Sequence, residues 1–467
     1  MVAFGPLRYD VPGYSKLISG VQPIAGASGI AYGPMKSLNV FTGVLPGAPR
    51  GFISGSTAAG LRTNIAFTDE TWEVLGADLD WDELEDGFDC PEGYDWSPVR
   101  FGDFVIGSNS ADGMYAYNLE TPAGVNAVAA GPACVSLWVQ QLRVCGLYYS
   151  SYWRVAISKI NDHTVWGGIG SGADEVPLKD GGEAIRGCVL DGNVAAVFQK
   201  NAIRGVVITN RIERVYDIAL GDGVGSVGAK SIIPFKGMIG FISRAGFQVL
   251  TAQGVRPIGA EKDNRFLLET VSDLSEIQGY VDPRNHMMWW RLNSSTLMGW
   301  DWQIDEFVTA PESTTYLCAA GLPASDMDAA EVVTGEADMD APGFPDMDSS
   351  AYSGGQPEFS GFNGSFELGF FDGENMEANL QTPEVVFPRS VIFHNTTPLT
   401  DAPNALVSVA VEDDPGAAMT FGAQQGLSDG VAYVRERGKR VIGQLTIPRG
   451  EVWTRAVGFE FNNAGGR

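Results

Sequence analysis

The sequence predicts an all-β chain, and three observations predict it. Chain breakers are abundant, with 59 glycines and 25 prolines in 467 residues, well above the roughly 12% that is ordinary. They follow no G-X-Y period, which excludes collagen, and their even spread excludes coiled coils and helical bundles. Between them lie apolar or aromatic runs of strand length, rich in β-branched residues. A helical signal occurs only over 263–274, and it is short. A chain of this length suggests two to four domains at roughly 150 residues each, and its 44% hydrophobic content suffices for a sizeable core.

Residues 1–50 are rich in Gly, Pro, Ala and Ser and read as an extended N-terminal arm holding one or two strands. From 51 to 322, strand follows strand. Phe52-Ile53-Ser54-Gly55, Leu61 to Phe67 and Trp72-Glu73-Val74-Leu75 come first. After an acidic loop come Phe104-Val105-Ile106-Gly107, Met114-Tyr115-Ala116-Tyr117, Val135 to Val139, Leu142 to Gly146 and Trp153 to Ser158. Met238 to Ser243 and Phe247 to Leu250 flank Arg244-Ala245-Gly246 as a hairpin, and His286 to Leu292 and Thr296 to Trp302 form a second. Asp-Gly turns recur at Asp112, Asp180, Asp191 and Asp222. So many hairpins in one open sheet would curl or expose edges. At roughly 40–50 residues per four-stranded blade, the span fits a β-propeller of about six blades. Residues 323–357 form an acidic loop carrying Asp-Met-Asp three times, and 358–467 read as a further β module or a returning part of the first.

The net charge is −26, with a pI near 4.4. Gripping nucleic acid requires Lys and Arg on phosphates, so this chain has the wrong sign for it and for docking on anionic membranes. No apolar window is long enough to span a bilayer, and the start lacks the pattern of a secretory signal. Cys90, Cys134, Cys145, Cys188 and Cys318 are widely spaced without CxxC pairs, so they read as small buried hydrophobes in a reducing compartment.

Candidate chemistry is sparse. His163, His286 and His394 are isolated, with no HExxH and no Cys/His cluster. Gly223 to Gly228 matches GxGxxG, but a strand-like text follows where a nucleotide site needs a helix, so it reads as a glycine-rich loop. Asp78, Asp80, Asp82, Glu83, Glu85, Asp86 and Asp89, continued by Glu92 and Asp95, form an acid cluster, read as an acidic surface or a lumen lining. Oxygen-rich loops bind Ca²⁺, but the EF-hand spacing is absent, and a solvated, self-repelling loop is the plainer reading. Paired carboxylates for glycoside hydrolysis carry no information among 57 acids. Arg435, Arg437, Lys439 and Arg440 form the densest basic run. Two readings stand for it: a subunit contact facing acid loops of a neighbour, or a solvent-facing hairpin. No cofactor is expected.

In order along the chain, several segments resemble one family, the tail nozzle proteins of short-tailed bacteriophages, also described as tail-tube, packaged-DNA stabilisation or tail accessory factors. They are Phe101-Gly102-Asp103-Phe104-Val105-Ile106-Gly107-Ser108-Asn109; 135–146 with Val155-Ala156-Ile157-Ser158 and Trp166; 223–258; Tyr280-Val281-Asp282-Pro283 with 289–302; 371–382; and Gly438-Lys439-Arg440, Trp453, Gly458 and Gly466-Arg467. The acid clusters are heavier than the family pattern, and the N-terminal arm matches it poorly. The resemblance implies a propeller-based virion subunit without catalysis, assembled in the host cytoplasm. Six copies would ring the tail axis below the portal and adaptor, and meet tail fibre or needle proteins. The ring would retain packaged DNA and pass it on without specific binding, since a negative wall repels phosphate. Two rivals remain: a glycan-binding or glycan-degrading propeller, and a head-to-tail or baseplate protein of a long-tailed phage.

Overall fold

The computed structural model describes residues 1–26, 29–57, 62–76, 78–148, 153–167, 172–178, 181–208, 214–216, 223–321, 357–415 and 417–464. It is nearly all β, with 55% strand and 3% helix. The helix Asn264–Thr270 falls where the sequence placed one. The expected Asp-Met-Asp loop lies outside the described residues.

Six four-stranded antiparallel units follow one another between 51 and 310, starting at Gly51, Ser97, Cys134, Ala184, Ile233 and Gln278. Short hairpins build them. In the fifth, Met238–Ser243 pairs with Gly246–Thr251 through Ser243↔Gly246; in the sixth, Met287–Asn293 pairs with Thr296–Asp301 through Asn293↔Thr296. The first strand of each unit touches the first strand of the next, all the way round. The units are therefore blades of a propeller, with first strands at the axis and fourth strands at the rim.

A seventh blade closes the ring. Tyr316–Ala320, Glu358–Phe362 and Glu367–Phe370 supply three strands, and Asn39–Val44 from the N-terminal region supplies the rim strand. Phe41 stacks on Phe370 at 4.6 Å, and the Leu368 amide donates to Thr42 Oγ1 at 2.9 Å. The span 51–322 thus holds six whole blades, as its length predicts. The seventh escapes a linear reading because it is assembled from both sides of that span.

Residues 1–50 are not an arm. Val2–Ala3, Ile18–Ser19, Val21–Gly26 and Gly29–Pro34 are woven into a second β body with the strands of 378–464. Val2 pairs with Phe459, Ser19 with Asn379 and Tyr32 with Ala456. The long strand Val385–Thr400 pairs first with Glu436–Ile447, then with Ala456–Ala464. This terminal body is fused to the rim of blade 6, where Ser19 pairs with Thr309. One core runs across the junction, joining Trp289, Trp290, Trp300 and Phe307 to Leu380, Val407, Leu445 and Phe459. The same core takes in Phe247 and Val249 of blade 5 and Leu317 and Phe359 of blade 7, while blades 1 to 4 pack through smaller separate clusters.

An N-terminal hook reinforces the fusion. Arg8 makes a two-pronged ion pair with Glu306 at 2.6 and 2.9 Å, with side chains 13% and 11% exposed. Asp10 receives the amides of Arg265 and Phe266 at 2.6 and 2.9 Å, so it caps the helix Asn264–Thr270 from a distance in sequence. Tyr9 stacks on Phe266 at 3.7 Å.

Candidate functional site

The blades of a propeller surround a central channel. Asp95 precedes the axial strand of blade 2, and Lys230 precedes that of blade 5. Those blades are as far apart as a ring of seven allows. Even so, Lys230 Nζ lies 3.3 Å from Asp95 Oδ1 and 3.5 Å from Glu276 Oε2. The bridge spans the axis. Burial pushes the Asp95 carboxyl above the usual carboxylate range, against the pull of Lys230 and Arg50. Burial also lowers Arg291, which Glu276 and Asp95 partly offset. Arg186 Nη1 donates to Ala229 O and Ile232 O at 3.0 and 2.9 Å, tying blade 4 to the entry of blade 5. A buried charge pair of this kind fixes geometry more than it adds stability. It links the axial ends of blades 2 and 5 across the centre of the ring.

The acid cluster divides. Asp95 belongs to this bridge. Asp78, Asp80, Asp82, Glu83, Glu85, Asp86 and Asp89 are exposed on or beside Trp81–Glu85, the rim strand of blade 1. They form an acidic surface, and within one subunit they do not line the axis. Acids on an edge strand also discourage sheet-to-sheet pairing. Among the described residues, none of the seven makes an ion pair. Behind them, Glu73 pairs across the ladder with Glu83, is 1% exposed, and leaves Oε1 without a hydrogen-bond partner. Burial raises the Glu73 carboxyl against the pull of a Thr71 side-chain hydrogen bond, and Glu83 and Asp82 raise it further. No group of three His, Cys, Asp or Glu among the described residues has the geometry of a metal site.

The basic run divides too. Arg440 is engaged within the chain: Nε and Nη2 meet Glu384 at 2.5 and 3.0 Å, and Nη1 donates to Asp414 O at 2.8 Å. The pair holds the Glu384 carboxyl below the usual range. Arg440 is therefore not available for a subunit contact, since strand alternation sends it to the face opposite its neighbours. On the other face, Tyr433, Arg435, Arg437 and Lys439 are all exposed. Beside them Ala432, Val434 and Gly438 are buried and Glu436 is exposed, and a Cβ on Gly438 would strike Val411. Ile392 sits opposite Arg437 in the ladder and is 44% exposed. The signal was present in the period of 433, 435, 437 and 439, but reading the run as four equivalent charges missed Tyr433 and Ile392.

The remaining candidates stand apart. His163 is buried in blade 3 against Phe104, His286 turns a corner of blade 6, and His394 is exposed in the terminal body. All five cysteines are buried, and none is in a disulfide. Residues 223–228 form a loop without a following helix, and its glycines serve close approach: a Cβ on Gly225 would meet Gln199 O, and one on Gly228 the backbone of Ser275. A cleft of ≈ 500 Å³ opens between blades 6 and 7 and the terminal body. Phe359 and Phe371 stack there at 4.5 Å, with Asp282, Arg284, Glu358 and Lys36 around them.

Compared with known proteins, the chain matches no family profile and no curated sequence. It is similar in fold to the WD40 domain of Neurospora crassa Pan2, at 8% identity and a TM-score of 0.40, over 61% of this chain and 90% of that one. A chain of a mitotic checkpoint complex gives 11% identity and 0.40 over 72% and 93%. A streptogramin B lyase gives 11% and 0.39 over 59% and 87%. No helix among the described residues is long and apolar enough to cross a membrane. Likenesses this distant add nothing to what the strand order itself shows, a β-propeller.

Proposed function

We propose that the chain is a structural subunit of a viral tail, a nozzle or tube protein whose copies form a ring around passing DNA. The observation that supports this most is the ionic bridge: Asp95, Lys230 and Glu276 meet across the subunit's own axis, so a conduit wide enough for DNA would lie between copies. The −26 charge suits a wall that repels phosphate, so DNA slides past it. The ordered motif resemblance supplies the identity of the conduit. Electron microscopy of the concentrated protein tests the reading: rings with an open centre are expected, and a protein monomeric at every concentration overturns it.

A second reading, a glycan-binding propeller, is favoured by the cleft with its stacked Phe359 and Phe371 and its carboxylates. Calorimetry with host-surface oligosaccharides tests it. Binding or turnover lost in Asp282→Ala or Glu358→Ala would replace the conduit reading.

A further inference from the structure

The described part of one chain holds two sets of charges that find no ion-pair partner within it, of opposite sign and on different elements. The first is the stripe Tyr433, Arg435, Arg437 and Lys439 on the terminal body. The second is the rim strand of blade 1, with exposed Asp82, Glu83 and Glu85. The stripe is not merely charged. Tyr433 is 65% exposed and Ile392 is 44% exposed beside Arg437, and aromatic residues with Arg are what interface cores select. The rim has its own deficit, because Glu73 and Glu83 face each other with no cation between them and Glu73 Oε1 is unpartnered. Like charges directly opposite each other destabilise a ladder, and an incoming guanidinium relieves that.

We infer that the Tyr433–Lys439 stripe of one subunit docks on the Trp81–Glu85 rim strand of a second copy of this chain. This rests on the ring reading above and names its interface. The two surfaces are different and lie on different parts of the subunit. The contact is therefore heterologous, and repetition closes a ring or extends a filament, not a two-fold dimer. Tyr433 and Ile392 supply the apolar contact, and the arginines set register and steer encounter.

Charge exchange tests it, read by light scattering and sedimentation. Reversing Arg435, Arg437 and Lys439 to Glu raises the concentration of half-assembly on the order of 100-fold. Reversing Asp82, Glu83 and Glu85 to Lys does the same alone. Combining both sets restores assembly to within about tenfold of the parent chain, since opposite signs again meet. All six residues are exposed, so monomer spectra and melting should be unchanged. As a second arm, Glu83→Cys with Arg437→Cys yields a disulfide-linked ladder of several subunits on mild oxidation, and each single variant yields none, because the native cysteines are buried.

Full assembly of both reversed chains, without a ladder in the paired variant, overturns this interface and leaves the ring reading standing. Loss in the first set without rescue by the second overturns the choice of a second copy as partner. A parent chain that never assembles overturns both.

Discussion

Blade 6 and blade 3 are built from the same four-stranded unit but keep different company. Blade 3 shares its apolar residues with blade 4 in a small cluster that includes Trp138, Leu147, Val155 and Val197. Blade 6 continues through Ser19↔Thr309 into the terminal body, and its tryptophans belong to a core spanning both. The difference teaches that a ring of equal units need not be equally stable. Where neighbours meet only side to side, opening is local; where a second body is welded on, opening one element exposes two.

Substitution in the welded core should have the largest effect. Trp290 is fully buried, and its indole donates to Ser231 O at 2.9 Å. Trp290→Ala is expected to cost about 4 kcal/mol, and Leu147→Ala in blade 3 about 2.5 kcal/mol. In hydrogen exchange the first should lower protection in blade 6 and the terminal body together, the second only near blades 3 and 4. Equal and global loss in both would erase the contrast.

The hook comes next. Arg8→Met leaves the Glu306 carboxylate buried without its partner and should cost about 3 kcal/mol by denaturant titration. Adding Glu306→Leu should recover most of that. A loss unaffected by the second change would mean that Arg8 acts by packing alone.

Asp263 gives a pH signature to the same junction. It is fully buried, accepts the Tyr9 amide at 2.9 Å, and burial raises its carboxyl from the usual 3.8 to about 7. The folded state thus holds its proton longer than the unfolded chain. Its favourable contribution is complete below about pH 4, declines as pH rises toward 7, and is flat above. Asp263→Asn should remove that slope and raise stability at pH 8 by about 2 kcal/mol. Unfolding midpoints at pH 5 and pH 8 report it, and a slope that survives in the variant places its source elsewhere.

The smallest effect belongs to the rim of blade 1. Glu73→Gln removes a buried like-charge neighbour of Glu83 and should gain up to about 1 kcal/mol in the monomer at pH 8. Destabilisation instead would mean that the Thr71 hydrogen bond to the Glu73 carboxylate outweighs that repulsion.

Six blades were legible because each closes locally: apolar runs, Asp-Gly and Ser-Ser turns, and partners within a few residues. Val2, Ser19 and Tyr32 were not legible, because their partners Phe459, Asn379 and Ala456 lie at the other end of the chain. Short Gly- and Ala-rich strands carry no period strong enough to announce a distant partner. The charged residues failed for another reason. Asp95 was grouped with its acidic neighbours by sequence, and Arg440 with its basic ones. Yet one step in strand parity, or one step into a blade entry, moves a charge from solvent to the interior.

The seventh blade turns sequence distance into waiting time. Thr42 accepts its hydrogen bond from Leu368, 326 residues later. At roughly 5–20 residues per second, a ribosome takes about a quarter of a minute to a minute to deliver that partner. Until then the strand Asn39–Val44 must be kept from other edges with Val40 and Val44 uncovered, and even in the finished fold these two remain 41% and 59% exposed. Six blades can stack while the chain is still growing, but the circle shuts only near the end of synthesis. A cell making this protein carries an open-ended stack for most of each chain's manufacture, so the yield of soluble protein is set as much by what shields that strand during the interval as by the stability of the finished ring.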